Sequence, residues 1–266
     1  MLAQRLLTAA VGIPVIAALI YFGGHVFTGV VCAILAIAAI EFVQMMLGGD
    51  DPLWRPSPIA LIAAGGVVAL PIAVDAGVEW PPELLFVAVV TMAYVMVRGL
   101  PVQRPAWAVA LAAVWYIGLL GSYFVLLRDL DDDGMWVFLA VLSTWGTDTC
   151  AYAVGRTIGR HKMAPRISPG KTWEGTAGAL IGGLVVVVAL GLVLDLPVTL
   201  GESVLLGLVL PAVAVVADLG ESVLKRGAGV KDTSVLVPGH GGFLDRLDSL
   251  LFTVPLVYYF AMWVVL

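Results

Sequence analysis

The sequence predicts an all-α protein that crosses a membrane about nine times, with its N-terminus in the cytoplasm. Three observations predict it. Hydrophobic residues make up 61 % of the 266-residue chain and charged residues 12 %, with a mean hydropathy of +1.03. Apolar runs of about 20 residues, enough to span a bilayer core of about 30 Å, recur along the chain. The basic residues gather in alternate loops.

A typical soluble domain carries roughly 25 % charged residues. Half that charge, with so much Val, Ala and Leu, cannot be enclosed in one soluble core, so lipid must solvate much of the surface. Cys32 and Cys150 both lie in apolar segments and read as small buried hydrophobes rather than a disulfide framework. Spans are expected near 6–22, 26–47, 58–75, 83–98, 106–128, 134–155, 172–194, 203–220 and 250–266. The first lacks a small-x-small cleavage site before the second, so it reads as a span and not as a signal peptide.

Charge sets the orientation. Arg5, Arg55, Arg98, Arg104, Arg156, Arg160, Lys162, Arg166, Lys171, Lys225, Arg226, Lys231 and Arg246 share one side of a nine-span thread, and only Arg128 falls on the other. The opposite loops hold Asp75, Glu79, Glu83, Asp129, Asp131, Asp132, Asp133, Asp195 and Glu202. The basic side belongs in the cytoplasm. Residues 1–130 read as hydrophobic scaffold. Residues 131–266 read as the catalytic region, with cytoplasmic polar segments at 155–175 and 218–249.

The segment 218–249 carries the densest chemistry. Asp218, Glu221, Ser222 and Lys225 stand at i, i+3, i+4 and i+7, on one helical face. Such a stripe must face protein or water, because a lone charge in lipid is costly. Gly227, Gly229 and Pro238-Gly239-His240-Gly241-Gly242 follow, and glycines let backbone N–H groups approach phosphate closely. Asp245 and Asp248 then stand at i and i+3 with Arg246 between them. Oxygen ligands on a helix suit a hard cation such as Mg²⁺. Taken singly, these residues have plainer readings. Lys and Arg anchor helix ends, Asp245 and Asp248 could cap a helix N-terminus, and His240 between glycines is often only a turn residue. Five carboxylates, four bases and six glycines interleaved over residues 218–249 exceed what anchoring requires.

This stretch resembles the signature of the phosphatidate cytidylyltransferases (CDP-diacylglycerol synthases). The resemblance rests on Ser222, Leu224, Lys225-Arg226, Lys231-Asp232, Ser234, Pro238, His240-Gly241-Gly242, Asp245-Arg246 and Asp248. Val237 stands where the family usually has Leu, Ile or Phe, an apolar-for-apolar change.

A second segment supports it. Thr144, Asp148 and Tyr152 lie on one face of span 6, and Asp148 is an ionisable residue in an apolar helix, a functional candidate or a packing partner. Gly170-Lys171-Thr172 invites a phosphate-loop reading, but Pro165 stands where that loop needs glycine, and apolar spans flank it. The run Ser168-Pro169-Gly170-Lys171-Thr172-Trp173-Glu174-Gly175 instead resembles another motif of the same family. Lys171 is then a phosphate ligand and Glu174 an orienting group, while Trp173 also suits the membrane interface.

The resemblance implies that CMP passes from CTP to phosphatidate, giving CDP-diacylglycerol and pyrophosphate in phospholipid synthesis. It implies Asp218, Ser222, Lys225, Arg226 and Asp245 as catalytic residues. Lys171, Lys225, Arg226, Lys231, His240, Arg246 and Asp148 would bind substrates. Asp218, Asp245 and then Asp248 would hold Mg²⁺, with K⁺ left open as a second cation. CTP, phosphatidate and membrane lipid are the expected partners, with no nucleic acid, and a homodimer is carried over from the family. The site is expected at the cytoplasmic face of the cell membrane, in a cavity open to water and to lipid. Two rivals differ in outcome. A CTP-dependent lipid kinase would release CDP rather than pyrophosphate. An ion-coupled transporter would use Glu41 and Asp148 as ion sites but has no use for the glycine-rich basic loop. Glu41 otherwise reads as a polar packing residue near the end of span 2.

Overall fold

The computed structural model describes residues 2–48, 55–99, 104–234, 236 and 241–266. Its helices are α1 (Leu2–Phe22), α2 (Gly24–Leu47), α3 (Pro58–Asp75), α4 (Pro82–Arg98), α5 (Ala106–Arg128), α6 (Met135–Ile158), α7 (Trp173–Val193), α8 (Leu200–Gly227) and α9 (Leu244–Val265). Helix α5 runs through a π-helical stretch at Val114–Leu119. Among the described residues seven helices are long and apolar enough to cross a membrane, namely α2, α3 and α5 through α9. Helix α4 has 17 residues, about 26 Å at 1.5 Å per residue. The chain is an all-α polytopic membrane protein in outline, with large apolar side chains such as Ile62, Phe86, Val97 and Ile181 exposed where lipid would solvate them.

Three boundaries differ from expectation. Helix α8 continues past residue 220 to Gly227, so the polar stripe 218–225 lies in its last three turns. Helix α9 begins at Leu244, which places Asp245 and Asp248 inside it. The segment after α6 is not all-α: Lys162–Ala164 (β1) and Ser168–Thr172 (β2) form an antiparallel hairpin. Glu174, in the first turn of α7, holds its base. The carboxylate accepts from Arg160 N at 3.1 Å and His161 N at 3.2 Å, and meets His161 Nδ1 at 2.5 Å. Glu174 thus fastens the hairpin to α7; that contact is local and structural.

Helices α6, α7 and α8 pack as a close trio, and α2 packs on α3. Small residues permit the closeness, as in membrane helix pairs generally. A Cβ at Gly178 would lie 2.5 Å from Val154 Cβ, and one at Gly182 would lie 2.5 Å from Cys150 Sγ. Helix α9 joins both groups, packing against α5, α6 and α8, with its first turn on α2.

Charge separates along the bundle. At one end lie Asp75, the last residue of α3, and Asp131 and Asp195 in loops. At the other, Arg104 donates to Met46 O at 3.0 Å and to Gly227 O at 2.5 Å, tying α2, α5 and α8 together. Arg128, the one arginine or lysine at the acidic end among the described residues, is buried and donates to four carbonyls: Ile20, Tyr21, Asp131 and Asp132, at 2.5–2.8 Å. It clamps the ends of α1 and α5 to the following loop. Its exception to the charge pattern has a structural cause.

Candidate functional site

The last three turns of α8 present Asp218, Ser222 and Lys225 to a cavity of about 380 Å³. The first turns of α9 add Asp245, Arg246 and Asp248, the loop between them adds Lys231 and Asp232, and α6 adds Thr144 and Asp148. A second cavity of about 410 Å³ shares Asp148, Ser168 and Asp218 with it, and is lined further by Tyr152, Arg156, Lys171 and Thr172. The two polar segments therefore meet. Their junction is an ion pair, Lys171 Nζ to Asp218 Oδ2 at 2.8 Å, from β2 to α8. The Thr144, Asp148, Tyr152 face of α6 runs along both cavities.

Lys225 is more constrained than a free phosphate ligand. Its ammonium donates to Glu221 Oε2 at 3.0 Å and to Asp245 Oδ1 at 2.8 Å. Glu221 is fully buried and belongs to the α8 stripe read from the sequence, where it was given no role in the site. Asp245 is likewise engaged. Its Oδ2 accepts from Thr233 N at 3.0 Å, Thr233 Oγ1 at 2.9 Å and Gly242 N at 2.8 Å. A carboxylate offers about four lone-pair directions. Four donors leave Asp245 at most one, beside an ammonium already in place. Arg226 also has occupation: Nε donates to Ile167 O and Nη1 to Val230 O, each at 3.0 Å. It brackets the β hairpin to the end of α8.

Lys231 and Arg246 differ. Both line the cavity, both are exposed, and neither has an ion pair or hydrogen bond among the described residues. They are the cations best able to receive an anion. Ser222 lines the cavity as expected. His240 lies outside the described residues.

The fit to Mg²⁺ follows from the donor set. No group of three His, Cys, Asp or Glu among the described residues converges as a full ligand cage. Mg²⁺ does not need one; it binds through one or two carboxylates, keeps waters and takes phosphate oxygens. Asp148, Asp218 and Asp248 line one cavity and are near enough for their charges to repel one another. Asp248 Oδ1 accepts from Ser249 N at 2.6 Å, leaving Oδ2 without a protein donor among the described residues. The residues fit, with Asp218 and Asp248 better placed than Asp245.

Sequence reasoning passed over Thr233, read Gly242 as a glycine of the phosphate-approaching loop rather than as a donor to Asp245, and outside the transporter reading gave Glu41 only a packing role. Glu41 is fully buried on α2 and accepts from the backbone of Phe243 and Leu244, at the start of α9. Its signal was present, as a charge within an apolar span.

A family model described as the cytidylyltransferase family matches residues 3–264. The phosphatidate cytidylyltransferase of Bacillus subtilis (strain 168) is 35 % identical over 270 residues, covering 96 % of each chain. The phosphatidate cytidylyltransferase of Synechocystis sp. is 31 % identical over 286 residues, covering 97 % of this chain and 95 % of its own. That of Haemophilus influenzae is 44 % identical over 136 residues, 49 % of this chain and 46 % of its own.

Proposed function

The chain belongs to the cytidylyltransferase family, and on that premise we propose that it transfers CMP from CTP to phosphatidate, forming CDP-diacylglycerol and pyrophosphate. The observation that carries the reading is the pair of cavities sharing Asp148, Ser168 and Asp218, lined by bases from two separate segments. Two phosphate-bearing substrates need two adjoining anion sites, and the shared wall is where their phosphates would meet.

A phosphatidate oxygen attacks the α-phosphorus of CTP, and the bond to the β-phosphate oxygen breaks. Phosphatidate is already ionised at neutral pH, so no dedicated base is required. What the protein supplies is alignment and positive charge between two anions that repel. Lys231 and Arg246 receive phosphate in the first polar cavity. Lys171 and Arg156 receive it in the second, with Lys171 held in place by Asp218. Lys225 is oriented by Glu221 and Asp245 and adds its charge at the cavity wall. Ser222 offers a hydroxyl. Asp218 and Asp248, with Asp148 nearby, would hold Mg²⁺, which when bound supplies charge neutralisation at the α-phosphate and the departing pyrophosphate.

The membrane placement extends the same reading. With α1 and α4 taken as spans, the thread has nine crossings and its basic end faces the cytoplasm, where CTP is found. The acyl chains stay in lipid, and phosphatidate enters sideways. K⁺ as a second cation and a homodimer remain parts of this reading, although every residue named comes from one chain. A cysteine introduced at Gly229, an exposed loop position at the basic end, should be labelled by an impermeant thiol reagent only after the cytoplasmic face is opened.

The deciding assay is purified protein in detergent with phosphatidate, CTP and Mg²⁺, reading pyrophosphate and CDP-lipid. Release of CDP would point to a kinase instead. No product with either ribo- or deoxyribonucleotide would defeat the proposal.

A further inference from the structure

Glu41 lies on α2, far in sequence from the cavity residues, and does not line either cavity. Its side chain is fully buried. A carboxylate cut off from water needs donors. All those it has come from the far end of the chain. Oε1 accepts from Ser234 Oγ at 2.6 Å and Phe243 N at 3.1 Å. Oε2 accepts from Leu244 N at 2.9 Å and Thr233 Oγ1 at 3.4 Å.

Two features give this arrangement a purpose beyond packing. First, the donors sit at both ends of one loop: Thr233 and Ser234 where it leaves Lys231-Asp232, Phe243 and Leu244 where it enters Asp245-Arg246. The Thr233 hydroxyl lies between two carboxylates, 2.9 Å from Asp245 Oδ2 and 3.4 Å from Glu41 Oε2. Second, space is reserved for the contact. A Cβ on Gly242 would lie 2.6 and 2.7 Å from the Glu41 oxygens, so only glycine lets the chain pass. An apolar side chain of similar size would pack α2 at least as well as a buried charge, without the desolvation cost. What the carboxylate adds is a fixed set of directions.

We propose that Glu41 is a positioning residue for cytidylyl transfer, fixing both ends of the 233–244 loop from α2 and thereby setting where Lys231 and Asp245 stand. This rests on reading the polar cavity as the transfer site. The test compares Glu41→Gln, Glu41→Asp and the parent in detergent. Gln keeps the volume but turns one acceptor into a donor facing other donors. Asp keeps both acceptors one methylene short. Misplacement of reacting groups by about 1 Å can cost on the order of 100-fold in rate. The expected result is a kcat for Glu41→Gln lowered about 10- to 100-fold, with Glu41→Asp between it and the parent. Amide exchange should accelerate at residues 241–244 and 231–234 and stay unchanged in α6 and α7. A parental kcat in Glu41→Gln overturns the proposal. So does exchange accelerated equally across α2, α6 and α7, which would mean general loss of structure, and so does Glu41→Asp no better than Glu41→Gln. If Glu41→Gln does not assemble, Ser234→Ala takes its place: a lowered kcat at unchanged melting temperature supports the clamp, and a parental kcat overturns it. A parent that forms no CDP-lipid would sink the assigned reaction. The exchange measurement is read without turnover, and unchanged exchange at 231–244 in Glu41→Gln would sink the clamp by itself.

Discussion

Lys225 offers the sharpest separation of stability from chemistry. Its ammonium lies between Glu221, whose side chain is 0 % exposed, and Asp245, at 4 %. Lys225→Met keeps the length of the side chain and removes the charge. Two buried carboxylates are then left facing one another without a cation. Breaking a buried ion pair on one side costs about 3–5 kcal/mol. For a chain of this size that lowers the melting temperature by roughly 6–20 °C. Adding Glu221→Gln removes one of the stranded charges and should recover a large part of the loss. Transfer should not recover with it, because the positive charge at the cavity wall is still missing. The assay is thermal unfolding in detergent beside CDP-lipid formation, on the parent, the single variant and the double variant. A single variant that melts with the parent would refute the ion-pair reasoning. A double variant restored in both stability and turnover would refute the assignment of Lys225 to the site.

Other outcomes follow from the same geometry. Asp218→Asn and Asp248→Asn should each lower kcat by about 100-fold or more and raise the Mg²⁺ concentration needed for half-maximal rate, while the protein stays folded; unchanged Mg²⁺ dependence would remove them as ligands. Lys171→Met breaks the 2.8 Å pair with Asp218 and should raise KM about 10-fold for one substrate more than for the other, read by varying each in turn. Gly241 and Gly229 form a matched pair, with φ of +84° and +81°. A Cβ on Gly241 would lie 2.6 Å from Asp245 Oδ2, whereas nothing lies within 4 Å of one on Gly229. Both alanine variants bear backbone strain of about 1 kcal/mol, but only Gly241→Ala should lose turnover beyond a few-fold.

How much of this was legible in the sequence depended on the distance over which each signal acts. Helix positions such as α2, α3 and α5 are written in local hydropathy, and expectation and structure agree within a few residues. The ends of α8 and α9 are not, because Asp218 to Lys225 and Asp245 to Asp248 interrupt the apolar run while the helices continue. The hairpin was hidden for another reason: Ser168-Pro169-Gly170 has neither β propensity nor alternation, and its shape comes from Glu174. In the site, Asp218 and Asp148 were singled out from residue type and spacing, and Lys171 from the family resemblance of its motif. That Asp245 and Arg226 are committed to their own chain was not legible, since Gly242 and Ile167 reach them through backbone atoms and Thr233 through its backbone N–H as well as its hydroxyl. Glu41 could be seen as unusual, but its partners lie about two hundred positions away.

That separation has a consequence for how the protein is made. Phe243 and Leu244 reach a carboxylate that emerged from the ribosome 202 and 203 residues earlier. Until α9 arrives, Glu41 has no donors from that helix, and α5, α6 and α8 lack the surface that α9 covers. A chain halted before α9 would thus leave Glu41 with at most the donors that precede that helix, an incompletely paired buried acid of the kind that membrane quality control can detect. Docking of α9 and completion of the polar cavity become the same event, because Asp245, Arg246 and Asp248 arrive with that helix.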